Sequence, residues 1–217
     1  MLKRSMHVRD DAAERIRKAA TALFKTHGYH ATPVRALAEV ANIEAGSLYY
    51  HFPSKQEILF DNLVHTMDTL LEGLARASET ASTPHGRLRA AVRMHVLFHA
   101  RRQDDAFISH TEIRALSDPN RREIVVKRDL YEKRFRELLR AGVAAGVFHI
   151  PDVRLTNIAI LTMCSGVADW FLPGGRLDEE SVAELYAEMV ERLVGYSGPA
   201  EAGGRKRAPA PRRKVGR

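Results

Sequence analysis

Between positions 46 and 51 the chain sets Gly46, Ser47, Tyr49, Tyr50 and His51 close together. A hydroxyl, an imidazole and two phenols at this density can hydrogen-bond to base edges and phosphates, and the small residues allow close approach. A second set, His95 and His99 four apart with Asp104, Asp105, His110 and Glu112 nearby, has spacing that can seat a metal or border a polar pocket. It lacks the glutamate of a His-Glu-x-x-His motif and any companion cysteine, which favours the pocket and no metal. Arg93, Arg114, Asn157 and Trp170 lie beside apolar helix faces and join His95 and His99 as candidate ligand-binding residues. No Gly-rich phosphate loop, nucleophile elbow or pair of catalytic carboxylates occurs, so neither catalysis nor a cofactor is expected.

The first set needs an element to present it. Thr32 is a good N-cap with Pro33 at the first helical position, and Val34, Leu37, Ala38 and Ala41 then mark one buried face of a short helix. Asn42 falls where that helix must end, and Asn tolerates a left-handed backbone. After Ile43 and Glu44 a second helix begins with only Leu48 and Phe52 obviously inward, leaving the polar and aromatic residues outward. Two short helices around a tight turn, the second displaying such groups, are a helix-turn-helix suited to a DNA major groove. Ser54-Lys55-Gln56-Glu57 then reads as a capping box opening another helix at Lys55. A lysine in a first helical turn meets the positive end of the helix dipole, a conflict that a DNA phosphate would relieve. A solvated surface lysine is the competing reading.

The run Thr32 to Lys55, above all Leu48-Tyr49-x-His51-Phe52-x-Ser54-Lys55, resembles the TetR/AcrR family of one-component regulators. The resemblance implies an all-α homodimer: an N-terminal three-helix DNA-binding domain followed by a larger helical ligand-binding domain. It places DNA contacts at Thr32, Arg35, Ala45, Gly46, Ser47, Tyr49, Tyr50, His51 and Lys55. Two departures stand out: Asn42 replaces the usual glycine, and Glu44 replaces the serine cap of the recognition helix. Further on, Glu112-Ile113-Arg114-Ala115-Leu116, Pro119-Asn120-Arg121-Arg122 and Trp170-Phe171-x-Pro173-x-Gly175 look similar to members controlling fatty-acid and sterol catabolism. Those members sense acyl-coenzyme A thioesters, so the resemblance implies a hydrophobic or acyl-CoA-type effector. The competing functional class is a ligand-independent architectural DNA-binding dimer.

The 217 residues carry a net charge of +7, unevenly spread. Residues 1–55 hold nine Lys/Arg against five Asp/Glu, residues 56–196 eighteen against twenty-one, and residues 197–217 seven against one. A basic head on an acidic body fits operator DNA as the partner of the head alone. Lys3, Arg4 and Arg9 would form a basic arm before a first helix from about Asp11 to His27, ended by Gly28. The expected organisation is a DNA-binding domain over 1–54, a ligand-binding and dimerisation domain over 55–196, and a disordered basic tail over 197–217. Within the body, helices are expected over about 55–78, 85–101, 104–116, 119–145, 152–171 and 178–196. The last two, with apolar residues on more than one face, should pair with a second copy as a four-helix bundle. Cys164 in an apolar helix reads as a small hydrophobe. The start of the chain lacks an apolar secretory core and no segment is long and apolar enough to span a membrane, so a cytoplasmic location is expected.

Overall fold

The computed structural model describes residues 2–198, with side chains from residue 11 onward. All regular structure among them is helical: α1 (Leu2–His27), α2 (Val34–Val40), α3 (Ala45–His51), α4 (Lys55–Glu79), α5 (Pro84–Arg101), α6 (Gln103–Thr111), a 3-10 turn (Glu112–Ala115), α7 (Asp118–Ala144), α8 (Val153–Ser165), α9 (Val167–Trp170) and α10 (Glu179–Leu193). None of these helices is long and apolar enough to cross a membrane. The basic tail from residue 199 lies outside the described residues.

The head forms because three amphipathic stripes converge. Ile16, Ala20 and Phe24 of α1, Leu37 and Ala38 of α2 and Leu48 of α3 are all but sealed from solvent. Gly28 ends α1 at φ +79°, and Asn42 turns the chain between α2 and α3 at φ +53°. Asn is among the few non-glycine residues that tolerate this region, so it can turn the chain here without a glycine. The Arg15 guanidinium donates to the Asn42 carbonyl at 3.3 Å and ties the turn to α1.

α4 belongs to both halves. Ile58 and Leu59 close the head core, while Leu63, Met67, Leu70, Leu71 and Leu74 continue into the body. In the body α4 packs on α5 and α7, and α10 lies along the far side of α5. That last contact is partly ionic: Arg89 pairs with Glu184 and Glu191, Arg93 with Glu180 and Glu184, and Arg101 with Glu179 and Glu180.

Three boundaries differ from expectation. α1 begins at Leu2, so Lys3, Arg4 and Arg9 belong to the helix rather than to an arm before it; their side chains lie outside the described residues. The stretch 104–116 tightens into a 3-10 turn after Thr111, where Gln56 of α4 takes the Ala115 carbonyl at 2.9 Å and the Ser117 N–H at 2.8 Å. The stretch 152–171 breaks at Gly166, whose ψ of −12° redirects the chain so that Val167 and Phe171 both reach the core.

Candidate DNA interface and effector cavity

α3 is seven residues long, too short to persist alone, and Leu48 and Phe52 hold it against the head core. Its outer face presents Ala45, Gly46, Ser47, Tyr49 and Tyr50; the two tyrosines are 54% and 65% exposed, well above what a core-facing ring would show. His51 is half-buried with its ring edge-on to that of Tyr50 at 5.5 Å. Nothing lies within 4 Å of where a Cβ on Gly46 would project, so a flat partner could approach the backbone there. Glu44 occupies the N-cap without a side-chain cap bond, leaving the first N–H groups of α3 to other acceptors. Arg35 is exposed on α2.

Two expected DNA contacts are turned inward. Thr32 is 1% exposed, and its hydroxyl donates to the Gly28 carbonyl at 2.8 Å, so it fastens the end of α1 instead of capping α2. Pro33, not Thr32, is the N-cap of α2. Lys55 resolves its conflict with the α4 dipole within the protein: its ammonium donates to the carbonyls of Tyr29 at 2.8 Å, Thr32 at 2.9 Å and His30 at 3.3 Å. It also sits 4.5 Å from the centre of the Tyr29 ring. The capping box is half realised. Ser54 accepts from the Glu57 N–H at 3.2 Å, but the Glu57 carboxylate accepts from Asn120 of α7 at 3.1 Å instead of turning back. The first turn of α4 therefore grips the head through Lys55 and the body through Gln56 and Glu57. Sequence spacing showed the cap but carried no sign of these long-range partners.

Within the body a cavity of about 220 Å³, partly open to solvent, lies among α4, α5, α6, α7 and α8. Its apolar walls include Met67, Leu70, Phe98 and Leu161, and its polar groups include His95, His99, Ser109, Arg128, Tyr131 and Ser165. His95 Nδ1 lies 2.7 Å from the Tyr131 hydroxyl and its Nε2 3.0 Å from Ser165 Oγ, so both ring nitrogens are partnered. His99 Nδ1 donates to the His95 carbonyl at 2.8 Å, leaving Nε2 as an acceptor. Burial, reinforced by the neighbouring His99 and His110, holds His95 well below the ordinary imidazole range. Burial likewise lowers His99 to about 4, with His110 adding to it. Arg128 donates to the Ser109 carbonyl, and burial lowers its pKa against the pull of Glu132. The Ser109 hydroxyl is buried without a hydrogen-bond partner, a group that a ligand oxygen could satisfy.

Of the six expected ligand residues, His95 and His99 line this cavity. Arg93 points the other way into the ion pairs with α10, and Arg114 is exposed on the 3-10 turn. Trp170 is 53% exposed on α9, near Tyr186 of α10. Asn157 is fully buried, and neither of its amide atoms has a partner, but it does not border the cavity. Ser109, Arg128, Tyr131 and Ser165 were not distinguishable in sequence, because each sits among similar residues on a helix whose rotation only packing fixes. His110 borders the cavity, yet no group of three or more His, Cys, Asp or Glu among the described residues is placed to hold a metal. Cys164 is buried, with burial pushing its thiol up to about 12, so it packs as a hydrophobe.

Comparison with known proteins agrees with this architecture at both ends. Residues 16–61 match the model of bacterial regulatory proteins of the tetR family, and residues 81–194 match a tetracyclin repressor-like C-terminal domain. The HTH-type transcriptional repressor KstR2 of Mycolicibacterium smegmatis is 31% identical over 82% of this chain and 87% of its own. A tetR-family regulatory protein from Rhodococcus RHA1 superposes with a TM-score of 0.79 at 29% identity, covering 86% of this chain and 98% of that one. The ketosteroid transcriptional regulator KstR2 of Mycobacterium tuberculosis superposes with a TM-score of 0.76 at 27% identity, covering 86% and 95%. A helix-turn-helix head, a helical body with a partly polar cavity and these two domain matches together place the chain in the TetR family of DNA-binding transcriptional regulators.

Proposed function

We propose that the chain is a repressor whose homodimer holds a palindromic operator through Arg35 and the outward residues of α3, and releases it when a hydrophobic, acyl-CoA-type effector enters the body cavity. The observation that carries this reading is the position of the cavity against α4: Thr66, Met67 and Leu70 form part of its wall, and the first turn of the same helix grips head and body. An effector shifts an equilibrium only by its difference in affinity for the two states. At about 220 Å³ the cavity falls below the roughly 300–1,000 Å³ usual for ligand sites, so a bulky acyl or ring moiety lodged in it would part the helices around it. The state with parted helices is then the one the effector prefers, and α4 carries the displacement to the head. A repressor role is in keeping with the names of the KstR2 relatives, and an apolar ring or acyl effector with the ketosteroid regulator among the structural neighbours.

A dimer is supported by the apolar surface of the body. Leu155, Ile158, Trp170, Leu172, Leu185, Met189 and Leu193 all lie exposed on or beside α8, α9 and α10. This surface continues past the face of α10 that Val182, Ala183, Ala187 and Val190 bury against the body. Thermal-shift measurements against acyl-CoA thioesters and free fatty acids, followed by gel shift of operator DNA with any hit, test the proposal. A stabilising ligand that also releases operator is the expected result. Stabilisation without release would remove the effector from the regulatory reading.

A further inference from the structure

Arg128 of α7 is the one arginine or lysine on the walls of the body cavity, and among the described residues no carboxylate forms an ion pair with it. We propose that Arg128 and the Ser109 hydroxyl form a carboxylate-binding subsite, so that the cavity takes its effector as a free carboxylic acid with a short aliphatic or single-ring tail. The inference rests on the reading above that an effector enters this cavity, and it fixes the form in which the acyl group arrives there.

A single residue of α6 brings the two donors together. The Arg128 guanidinium donates through Nη2 to the backbone carbonyl of Ser109, and the hydroxyl of that same Ser109 is buried without a partner. Nη1 and Nε of Arg128 have no partner among the described residues. Ser109 is 7% exposed and borders the cavity, so an acceptor for its hydroxyl has to come from the cavity side. A carboxylate can take a guanidinium in a two-point contact and still accept from a hydroxyl with a remaining lone pair.

The other titratable groups around the cavity do not neutralise this cation. His95 and His99 of α5 are held neutral by burial, and the exposed Asp169 of α9 acts on His99 without bonding to it. His110 of α6 turns its Nδ1 to the Ala106 carbonyl at 2.9 Å. Tyr131 of α7 is bonded to His95, and burial raises its hydroxyl above the ordinary phenol range. Glu132, one turn past Arg128, is the acid at the rim; its side chain is 45% exposed and meets Arg136 at 3.6 Å. Its charge reaches Arg128 but does not outweigh the burial that lowers the arginine's pKa. A desolvated cation without a bonded anion is costly, and a carboxylate removes that cost where the uncharged carbonyl of a thioester does not. From α4 and α8 the cavity receives no charged group, while Met67, Leu70 and Leu161 with Phe98 offer an apolar lining. At about 220 Å³ that lining suits a short chain or one ring.

Isothermal titration of the full chain with butanoate, octanoate and 3-phenylpropanoate, beside their methyl esters and octanoyl-coenzyme A, tests this. At least one acid should bind wild type, and more tightly than its own ester. Arg128→Met should weaken that acid by about ten- to a hundredfold, as expected for a lost charge-assisted contact, and leave the ester unaffected. Arg128→Lys, which keeps the charge without the fork, should lie between. Ser109→Ala removes an unsatisfied hydroxyl, so its melting temperature should equal or exceed that of wild type while the acid weakens by about three- to tenfold. This second variant carries the test if Arg128→Met fails to fold. Failure of all three acids to bind wild type would overturn the subsite, as would an acid bound no better than its ester. An acid whose affinity both Arg128→Met and Ser109→Ala leave unchanged would overturn it too. If octanoyl-coenzyme A releases operator from wild type and Arg128→Met alike while the acids do not bind, the effector reading stands and the subsite falls. If an acid binds through Arg128 and neither it nor the thioester releases operator, the subsite stands and the effector reading falls.

Discussion

Lys55 uses all three of its ammonium donors on backbone carbonyls of the loop after α1, and this makes it a fastener of the head. Lys55→Met keeps an unbranched apolar stem but loses these bonds, and should lower unfolding stability by about 1–3 kcal/mol, read by chemical denaturation. An unaltered midpoint together with a salt slope of DNA binding reduced by about one would instead restore Lys55 as a phosphate contact. The buried histidines give a pH signature. Both are held neutral when folded, His99 down to about 4, whereas the unfolded chain protonates them near 6.5. The unfolded state then binds more protons, so stability should fall as pH drops below about 6.5, by up to ~1.4 kcal/mol per unit for each histidine, until the folded groups titrate. His99→Gln should flatten part of that slope in melting curves between pH 4 and 7. A slope unchanged in the variant would mean that other groups carry it. Spacing pointed to His95 and His99 because two histidines four apart must share a helix face. Thr32 misled because a good cap residue before Pro33 can equally bond backward to Gly28, and local sequence does not rank the two.

Helix by helix, periodicity located most boundaries because amphipathic stripes, caps and turn residues are local signals. What it missed depends on tertiary partners: the 3-10 turn held by Gln56, the break at Gly166, and the pairing of α5 arginines with α10 glutamates that draws Arg93 away from the cavity. Glycine substitutions separate the two kinds of constraint. Gly142 of α7 lies against Phe148, and a Cβ there would fall inside the ring, so Gly142→Ala should cost about 1–3 kcal/mol despite the better helix propensity of alanine. Gly46→Ala meets open space and should leave stability unchanged or raise it by up to ~1 kcal/mol. Its methyl would nonetheless stand on the face offered to DNA, so operator affinity should fall while the melting temperature does not. Gel shift and calorimetry on the same preparation check the pair. Unimpaired operator binding by Gly46→Ala would show that α3 does not approach DNA at this position.

For the whole molecule, the distribution of charge and apolar surface sets how copies and DNA come together. The head is net basic and the body net acidic, so the body should not compete for phosphate. The exposed leucines of α8 and α10 are the apolar counterpart: Leu155 is 65% and Leu193 48% exposed, an extent that a second copy would cover. Two-fold pairing of these helices should set the two recognition helices about 34–40 Å apart, one turn of DNA or slightly more, and make the operator a palindrome. Placing carboxylates in the seam, as Leu155→Glu with Leu193→Glu, should give a folded monomer at micromolar concentration by light scattering, since both side chains already face solvent in the single chain. Because a monomer grips one half-site only, its specific affinity should fall by about a thousandfold or more, toward its affinity for random DNA. Non-specific binding, which depends on the basic head, should persist with a shallower salt slope as fewer phosphates are neutralised. A double variant that remains dimeric would move the interface away from α8 and α10, and a monomer with undiminished operator affinity would remove the requirement for two-fold recognition.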